Sequence, residues 1–346
     1  MLIKHLRLVF STVLLLFSMV SLVYAQDNSG STPLFTPYEG SPVIEHGETG
    51  TWNASFNEPG AVIFHDGQFH MFRTGYSYWP NVSSIDYLTS PDGLTWTGSN
   101  EPVFTTDEVS YAGLSIGASS VLVEDDGTWV LYFYIYDTGS WPLALGAIGR
   151  ATADDPLGPW TPMDAPVLLP GTEGEWDGLQ VSHPNVLRTD DGYVMYYSGY
   201  STMRSRPTRT IGMATSDDGI VWTKYDDPTT TEAPFAESDS ILIADQDWEG
   251  REVFMPRVQS SGDGWVMIYK ATQQGLGLAL SEDGIQWSKV ENNPVVAATD
   301  LGSNLIGFTT LLRTENDYYL YMEGSTIQGK TDIYVAIHEG NLELSE

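Results

Sequence analysis

The chain has no cysteine, and only 15 Lys and Arg stand against 46 Asp and Glu among its 346 residues. The missing cysteine excludes disulfide staples, thiolate zinc sites, a cysteine nucleophile and a lipid-modified N-terminal cysteine. A formal charge of −31 excludes nucleic acid, whose binding needs clustered Lys and Arg to displace counterions. The same deficit excludes an anionic membrane surface. Beyond residue 25 no apolar stretch is long enough to span a bilayer, and amphipathic helical periodicity is missing throughout. Disorder is excluded too, because 41% of residues are hydrophobic and 12% aromatic, enough for a large core.

The N-terminus reads as an address. Lys4, His5 and Arg7 precede an apolar run from Leu8 to Val23, and Val23-Tyr24-Ala25 places small residues where a signal peptidase needs them. The expectation is a secretory signal over residues 1–25, a flexible segment over 26–40 and a single domain over 41–346. The mature protein is then extracellular or periplasmic, off the membrane, monomeric, and stable through its core alone.

What is present is repetition. A strand–turn–strand phrase starts at Gly60 (GAVIFHDGQFHMFRTGYS) and recurs from Ser119, Pro184, Pro256 and Thr309. Each copy is a short apolar strand, an Asp-Gly or Asn-Asp turn, and an aromatic-rich strand, the strongest short hairpin signal. A second phrase follows the first four copies: SPDGLTW (Ser90–Trp96), ADDPLGPW (Ala153–Trp160), SDDGIVW (Ser216–Trp222) and SEDGIQW (Ser281–Trp287). It resembles the Asp-box turn of sialidases and other propellers. Asp92, Asp218 and Asp283 are expected to bond turn amides, with Trp96, Trp222 and Trp287 packed between sheets.

A third phrase closes each unit: Glu101-Pro102-Val103, Ala165-Pro166-Val167, Ser240-Ile241-Leu242 and Asn293-Pro294-Val295. The last unit lacks one, yet Ser41-Pro42-Val43 precedes the first. The simplest account is a ring in which the N-terminal strand closes the last sheet. The pattern predicts an all-β, five-bladed β-propeller with four-stranded blades.

Propeller geometry sends the starts of first strands, the ends of second strands and the crossovers to one face. The crossovers TWNASFNEPGAV, EWDGLQVSHPNV and DWEGREVFMPRV align Trp52, Trp176 and Trp248, with Glu58, Asp177, Glu249 and Glu252 as carboxylates. His183 and Met255 precede Pro184 and Pro256. Thr74, Ser198, Lys270 and Glu323 end second strands, and loops add Tyr76, Tyr78, Trp79 and Trp141. Arg204, Arg206 and Arg209, with Arg251 and Arg257, concentrate scarce cations on this face. Carboxylates among Trp and Tyr suit a sugar, whose ring stacks on aromatics while its hydroxyls bind polar groups. Two carboxyl groups across a glycosidic oxygen supply acid and base, or acid and nucleophile. The bland reading of each acid is a solvated rim residue or a turn bond.

With FNEPGAVIFHDGQFHMFRTGY, these repeats resemble the five-bladed glycosidase superfamily: glycoside hydrolase families 32 and 43, and in part family 130. The resemblance implies a secreted enzyme hydrolysing a poly- or oligosaccharide, with Glu58 as base or nucleophile. Its later columns hold His183 and Met255 where those families place carboxylates, so Asp177 and Glu252 stand as substitutes, Glu252 as the acid. The sugar-binding set comprises Trp52, Arg73, Tyr76, Trp79, Trp141, Trp176, His183, Trp248, Arg251, Arg257, Lys270 and Glu323. Phe56-Asn57-Glu58-Pro59 and Phe72-Arg73 resemble family 130, some of whose members bind phosphate; Arg73, His183, Arg251 and Arg257 would form that site in a mannoside phosphorylase-like enzyme. Secretion favours hydrolysis. The departures at His183 and Met255 leave a non-catalytic carbohydrate-binding propeller, or a surface interaction module, as alternatives. No cofactor is expected. Asp154-Asp155, Asp190-Asp191 and Asp217-Asp218 could ligate Ca²⁺, but none has EF-hand spacing and all fall at expected turns. Asn53-Ala54-Ser55 and Asn81-Val82-Ser83 are glycosylation sequons.

Overall fold

Asp-Gly pairs between β-rich runs fold here as hairpins. At Asp66-Gly67 both residues adopt positive φ, 48° and 76°, the geometry that matches the twist of two antiparallel strands. The computed structural model describes residues 34–78, 82–136, 146–201, 208–262, 264–272, 275–325 and 329–342. The expected signal segment, 1–25, lies outside the described residues, as do Trp79, Asn81, Trp141, Arg204 and Arg206.

The described chain is nearly all β. After β1 (Thr36–Pro37), the strands β2 (Phe56–His65), β3 (Gln68–Tyr76), β4 (Ser84–Ser90) and β5 (Thr97–Thr105) form an antiparallel meander. A second group holds β6 (Ser115–Val123), β7 (Trp129–Tyr136), β8 (Gly146–Ala153) and β9 (Thr161–Pro162). A third holds β10 (Gln180–Thr189), β11 (Gly192–Ser201) and β12 (Thr208–Ser216), with β13 (Thr223–Lys224) and β14 (Ser240–Leu242) both on β12. A fourth holds β15 (Phe254–Ser261), β16 (Gly264–Thr272) and β17 (Gly275–Ser281), with β18 (Ser288–Lys289) and β19 (Val296–Ala297) both on β17. The last is β20 (Ile306–Arg313), β21 (Asp317–Ser325) and β22 (Thr331–Glu339), with β1 pairing β22. One parallel pair, Gln180 with Gly146, joins the second and third groups, so hydrogen bonding gives sheets of four, nine, five and four strands.

Two expectations shift. The outermost position is a single strand in the first group but is shared by two short strands in the third and fourth, where an insertion separates them. The N-terminal segment does the same on β22. Thr36–Pro37 pairs Ile337 and Ala336, and Ile44 bridges Ile333. Ordered pairing therefore begins inside the segment 26–40 that was expected to be flexible.

The apolar core lies between groups. Each large cluster draws on two neighbours: Phe72 and Phe104 meet Leu131 and Phe133, Tyr132 and Ile148 meet Val181 and Tyr197, Ile211 meets Val258 and Tyr269, and Ile268 meets Leu311 and Leu320. The last group returns to the first, where Tyr321, Ile333 and Val335 meet Met71 and Leu88. The first strands touch in the same cycle, β2 on β6, β6 on β10, β10 on β15, β15 on β20 and β20 on β2.

The Asp-box turns fasten these interfaces. Asp92 Oδ1 accepts from the Leu94 and Thr95 amides at 2.8 and 2.7 Å, and Asp218 and Asp283 repeat the bonds. Asp155 keeps one of them, from Leu157. Three of the four turn glycines then offer their carbonyls to a tyrosine of the preceding group: Tyr132 to Gly219, Tyr196 to Gly284 and Tyr321 to Gly93, at 2.7, 3.0 and 2.9 Å. The tryptophan beyond each of these turns packs edge-on against that same tyrosine, Trp222 on Tyr132, Trp287 on Tyr196 and Trp96 on Tyr321. Tyr321 is fully buried and joins the last group to the first. Tyr321→Phe strands the Gly93 carbonyl, and should lower the unfolding free energy by about 1–2 kcal/mol in denaturant titration. An unchanged midpoint would show that this bond does not secure the closure.

Candidate functional site

Every first strand carries a bulge near its start: between Glu58 and Ala61, Ala118 and Ser120, Ser182 and Asn185, Phe254 and Arg257, and Ile306 and Thr309. A bulge re-aims side chains and ends regular pairing. His183 and Met255 sit in these bulges with φ of 53° and 54°, a conformation that non-glycine residues rarely hold. Second-strand residues latch onto the next group's bulge. Thr74 Oγ1 accepts the Ala118 amide at 2.9 Å, Ser198 Oγ accepts the Met255 amide at 2.8 Å, and Lys270 Nζ donates to the Gly307 carbonyl at 3.0 Å.

The bulges surround a cavity of about 350 Å³. Its lining includes Glu58, Tyr76, Tyr134, His183, Arg209, Glu252, Phe254, Met255, Lys270 and Phe308. Glu58 is buried, and its two oxygens accept from Tyr76 (2.9 Å) and Tyr134 (2.6 Å) hydroxyls. Gly117 makes room for Tyr134, since a Cβ there would stand 2.1 Å from the ring. Burial pushes the Glu58 carboxyl up to about 8, reinforced by Glu323 and opposed by the two tyrosines and Lys270. Burial also raises Glu323, which accepts the Phe308 amide at 2.9 Å. Lys270 is lowered to about 8 by burial. His183 is held well below its ordinary range by burial and by Arg257, Arg209 and Lys270. Arg257, buried, donates through Nε to the Thr309 carbonyl at 2.6 Å, and burial lowers it to about 10. Glu252, at 31% side-chain exposure, lies 3.6 Å from Arg209.

The structure thus brings together Glu58, Tyr76, His183, Glu252 and Lys270, with Arg257 and Glu323 buried around them. Other expected residues lie elsewhere. Asp177 is fully buried but does not line the cavity: it accepts from Lys224 Nζ at 2.6 Å, the Tyr197 hydroxyl at 3.2 Å and the Gly171 amide at 3.1 Å. Glu249 repeats that arrangement with Lys289 and Tyr269, at 2.7 Å each. Both carboxylates pin crossovers. The three crossover tryptophans are structural as well. Trp52 Nε1 donates to the Asn100 carbonyl, Trp176 Nε1 to the Ser238 carbonyl, and Trp248 packs on Tyr269. Arg73 is buried in a two-pronged pair with Asp86, and Arg251 is exposed away from the cavity lining. The phosphate set of Arg73, His183, Arg251 and Arg257 is therefore not assembled. Asn53 of the first sequon is buried and bonded to Asn100, closed to a glycan. Trp79 and Trp141 lie outside the described residues. Among the described residues no group of three or more His, Asp or Glu is placed to hold a metal ion.

Register explains the misplaced columns. Glu58 pairs Thr74, as Ser182 pairs Ser198 and Phe254 pairs Lys270. The counterparts of Glu58 are Ser182 and Phe254, one residue before His183 and Met255. Aligning on proline hid this offset, because Pro59 falls inside its bulge one position earlier than Pro184 and Pro256. Tyr134, Phe254 and Phe308 were missed. Reading second-strand ends in the second group, as in the others, would have reached Tyr134.

No family model matches the chain. A curated relative, the arabinoxylan arabinofuranohydrolase of Bacillus subtilis (strain 168), is 29% identical over 128 residues, which cover 34% of this chain and 24% of that protein. The chain thus matches about a quarter of that relative's length. Solved structures cover far more. One from the GH130 family of mannoside phosphorylases, which contains glycoside hydrolases that target β-1,2 mannosidic linkages in Candida mannan, superposes with a TM-score of 0.67 at 16% identity over 89% of this chain and 94% of its own. A thermostable family-43 glycoside hydrolase gives 0.62 at 15% over 87% and 94%. A family 117 glycoside hydrolase of the marine bacterium Zobellia galactanivorans gives 0.63 at 16% over 90% and 91%. The fold is that of the propeller glycoside hydrolases.

The raised Glu58 carboxyl sets a pH dependence. Between its ordinary value of 4.5 and about 8 the folded chain keeps a proton that the unfolded chain has lost, so stability falls as pH rises through that window. The slope from this group reaches at most about 1.4 kcal/mol per pH unit. Glu58→Gln should flatten it. Chemical denaturation of both proteins from pH 5 to pH 8 checks this, and equal slopes would mean that Glu58 ionises normally.

Proposed function

We propose that the chain is a secreted five-bladed β-propeller that hydrolyses glycosidic bonds of a poly- or oligosaccharide in the cavity around Glu58. The cyclic contacts of the first strands and the core clusters shared between neighbouring groups support the five-bladed reading. The leader pattern of residues 1–25 supports export. The observation that carries the function is Glu58, buried between Tyr76 and Tyr134 with its carboxyl raised to about 8, in one cavity with the half-exposed Glu252.

Burial reverses the roles expected from sequence. A carboxyl that keeps its proton at neutral pH is suited to protonate a leaving glycosidic oxygen, so Glu58 becomes the general acid. Glu252, in contact with solvent and Arg209, becomes the carboxylate that activates water or attacks the anomeric carbon. Tyr76 and Tyr134 hold the acid in place. Asp177 has no chemical role.

A second reading, sugar binding without turnover, draws support from Ser182 and Phe254, which stand in the register positions of Glu58 and carry no carboxylate. The two readings separate in one set of assays. Against a panel of aryl glycosides and polysaccharides, Glu58→Gln and Glu252→Gln should each lower kcat by about 10²–10⁴, whereas Asp177→Asn should cost stability rather than rate in the folded protein. Turnover by wild type should decline above about pH 8 as Glu58 ionises. Full activity in both Gln variants overturns the acid–base assignment. Glycan-array binding with no released reducing sugar establishes the binding reading instead.

A further inference from the structure

Glu252 stands before β15, and a neighbouring group brings it to the cavity. Its backbone forms a parallel bridge with Arg209 of β12, and the Val253 amide donates to the Arg209 carbonyl at 3.1 Å. The start of the third strand in one group thus carries the entry of the next. Gly146 of β8 does the same for Gln180 of β10. Both residues carried in this way, Gln180 and Glu252, line the cavity.

The Arg209 side chain is fixed by its surroundings. Its guanidinium carbon lies 5.1 Å from the Tyr200 ring centroid and 4.6 Å from that of Phe254. Tyr200 is its cross-strand partner on β11, whereas Phe254 opens β15 of the next group. Both rings are buried, and the Arg209 side chain is only 12% exposed. A cation over an aromatic face is attracted to it, the more so where water is thin. From this seat Arg209 Nη1 stands 3.6 Å from Glu252 Oε2, an ion-pair contact rather than a hydrogen bond. A solvent-exposed pair at this distance contributes little, because two mobile side chains must be ordered for one weak attraction. Here one partner is already ordered, and only Glu252 has freedom to lose. The attraction has a fixed origin, and it limits where the carboxylate points.

We propose that Arg209 is the positioning residue for Glu252: its ring-anchored guanidinium aims the carboxylate at the water or anomeric carbon on which Glu252 acts. This role rests on the glycosidase reading above and adds to it the group that orients the base. Arg209 also lines the cavity, so direct contact with the sugar is the competing role. The backbone bridge does not involve the guanidinium, so a change of side chain removes the aim of Glu252 and leaves its main chain in place.

Steady-state kinetics of the full chain on an aryl glycoside that wild type cleaves tests this. Arg209→Met, checked for folding by circular dichroism, should lower kcat about tenfold or more with KM within about twofold, since a misaimed catalytic group slows the chemical step without loosening ground-state contacts. Arg209→Lys keeps the charge but not the planar guanidinium, and its kcat should fall between those of wild type and Arg209→Met. In the Glu252→Gln background, Arg209→Met should cost little more, because residues that act through one another are not additive. Wild-type kcat in Arg209→Met, a loss confined to KM, or an equal loss in the Glu252→Gln background would each overturn the inference and leave the glycosidase reading standing. Full activity in Glu252→Gln overturns it together with the role of Glu252. If wild type cleaves no glycoside, both readings fall.

Discussion

Apolar packing between neighbouring groups of strands is the constraint on which everything else rests. Among the described residues, each large apolar cluster is shared between two groups. Each group buries one side against the group before it and the other against the group after it, and the last finds its partner in the first through Tyr321, Ile333 and Met71. A chain without disulfides must hold itself by such contacts alone. The tyrosine–glycine bonds and edge-on Trp contacts of the Asp-box turns recur at three of these interfaces. Because the first strands are brought together by this packing, their bulges converge, and the cavity exists only where they do.

That convergence concentrates unlike chemistry in a small volume. Glu58, Glu323, Lys270, Arg257 and His183 lie widely separated in sequence, yet all are buried around one space. Desolvation then moves each toward its neutral form: carboxyls up, cations and imidazole down. Such opposed shifts are how a single site can hold a proton donor beside positive charge at neutral pH. Elsewhere the structure uses the same residue types differently. Asp177 is paired with Lys224, and Glu249 shares Lys289 with Asp245; Asp177 and Glu249 are each tied further to a tyrosine. These carboxylates pin loops and have no spare capacity for a substrate.

Much of this was legible in the residues. The Asp-Gly turns and the Asp-box phrases with their tryptophans are local signals, written in short stretches whose geometry depends on near neighbours. The closing role of the N-terminal segment, a pairing across about 300 residues, was legible only from the repeat, which ends one outer strand short and begins with one to spare. The site was half legible. Glu58, Tyr76, His183, Glu252 and Lys270 were found because strand ends are visible in the repeat. Asp177 and the crossover tryptophans stand before the first strands rather than in them, and their partners Lys224, Asn100, Ser238 and Tyr269 lie 21–62 residues further along the chain, so nearness to a strand start in sequence did not place them on the cavity.

The sequence by itself therefore determined the β class, the repeat, the turn chemistry and the scarcity of cations, because each follows from composition or from contacts a few residues apart. Only the tertiary structure decided which acid keeps its proton and which is neutralised by a lysine. It also decided that Arg209 meets Phe254 and Glu252 at the entry of the next group. Those properties depend on burial and on partners from other groups, and neither exists until the strands have packed.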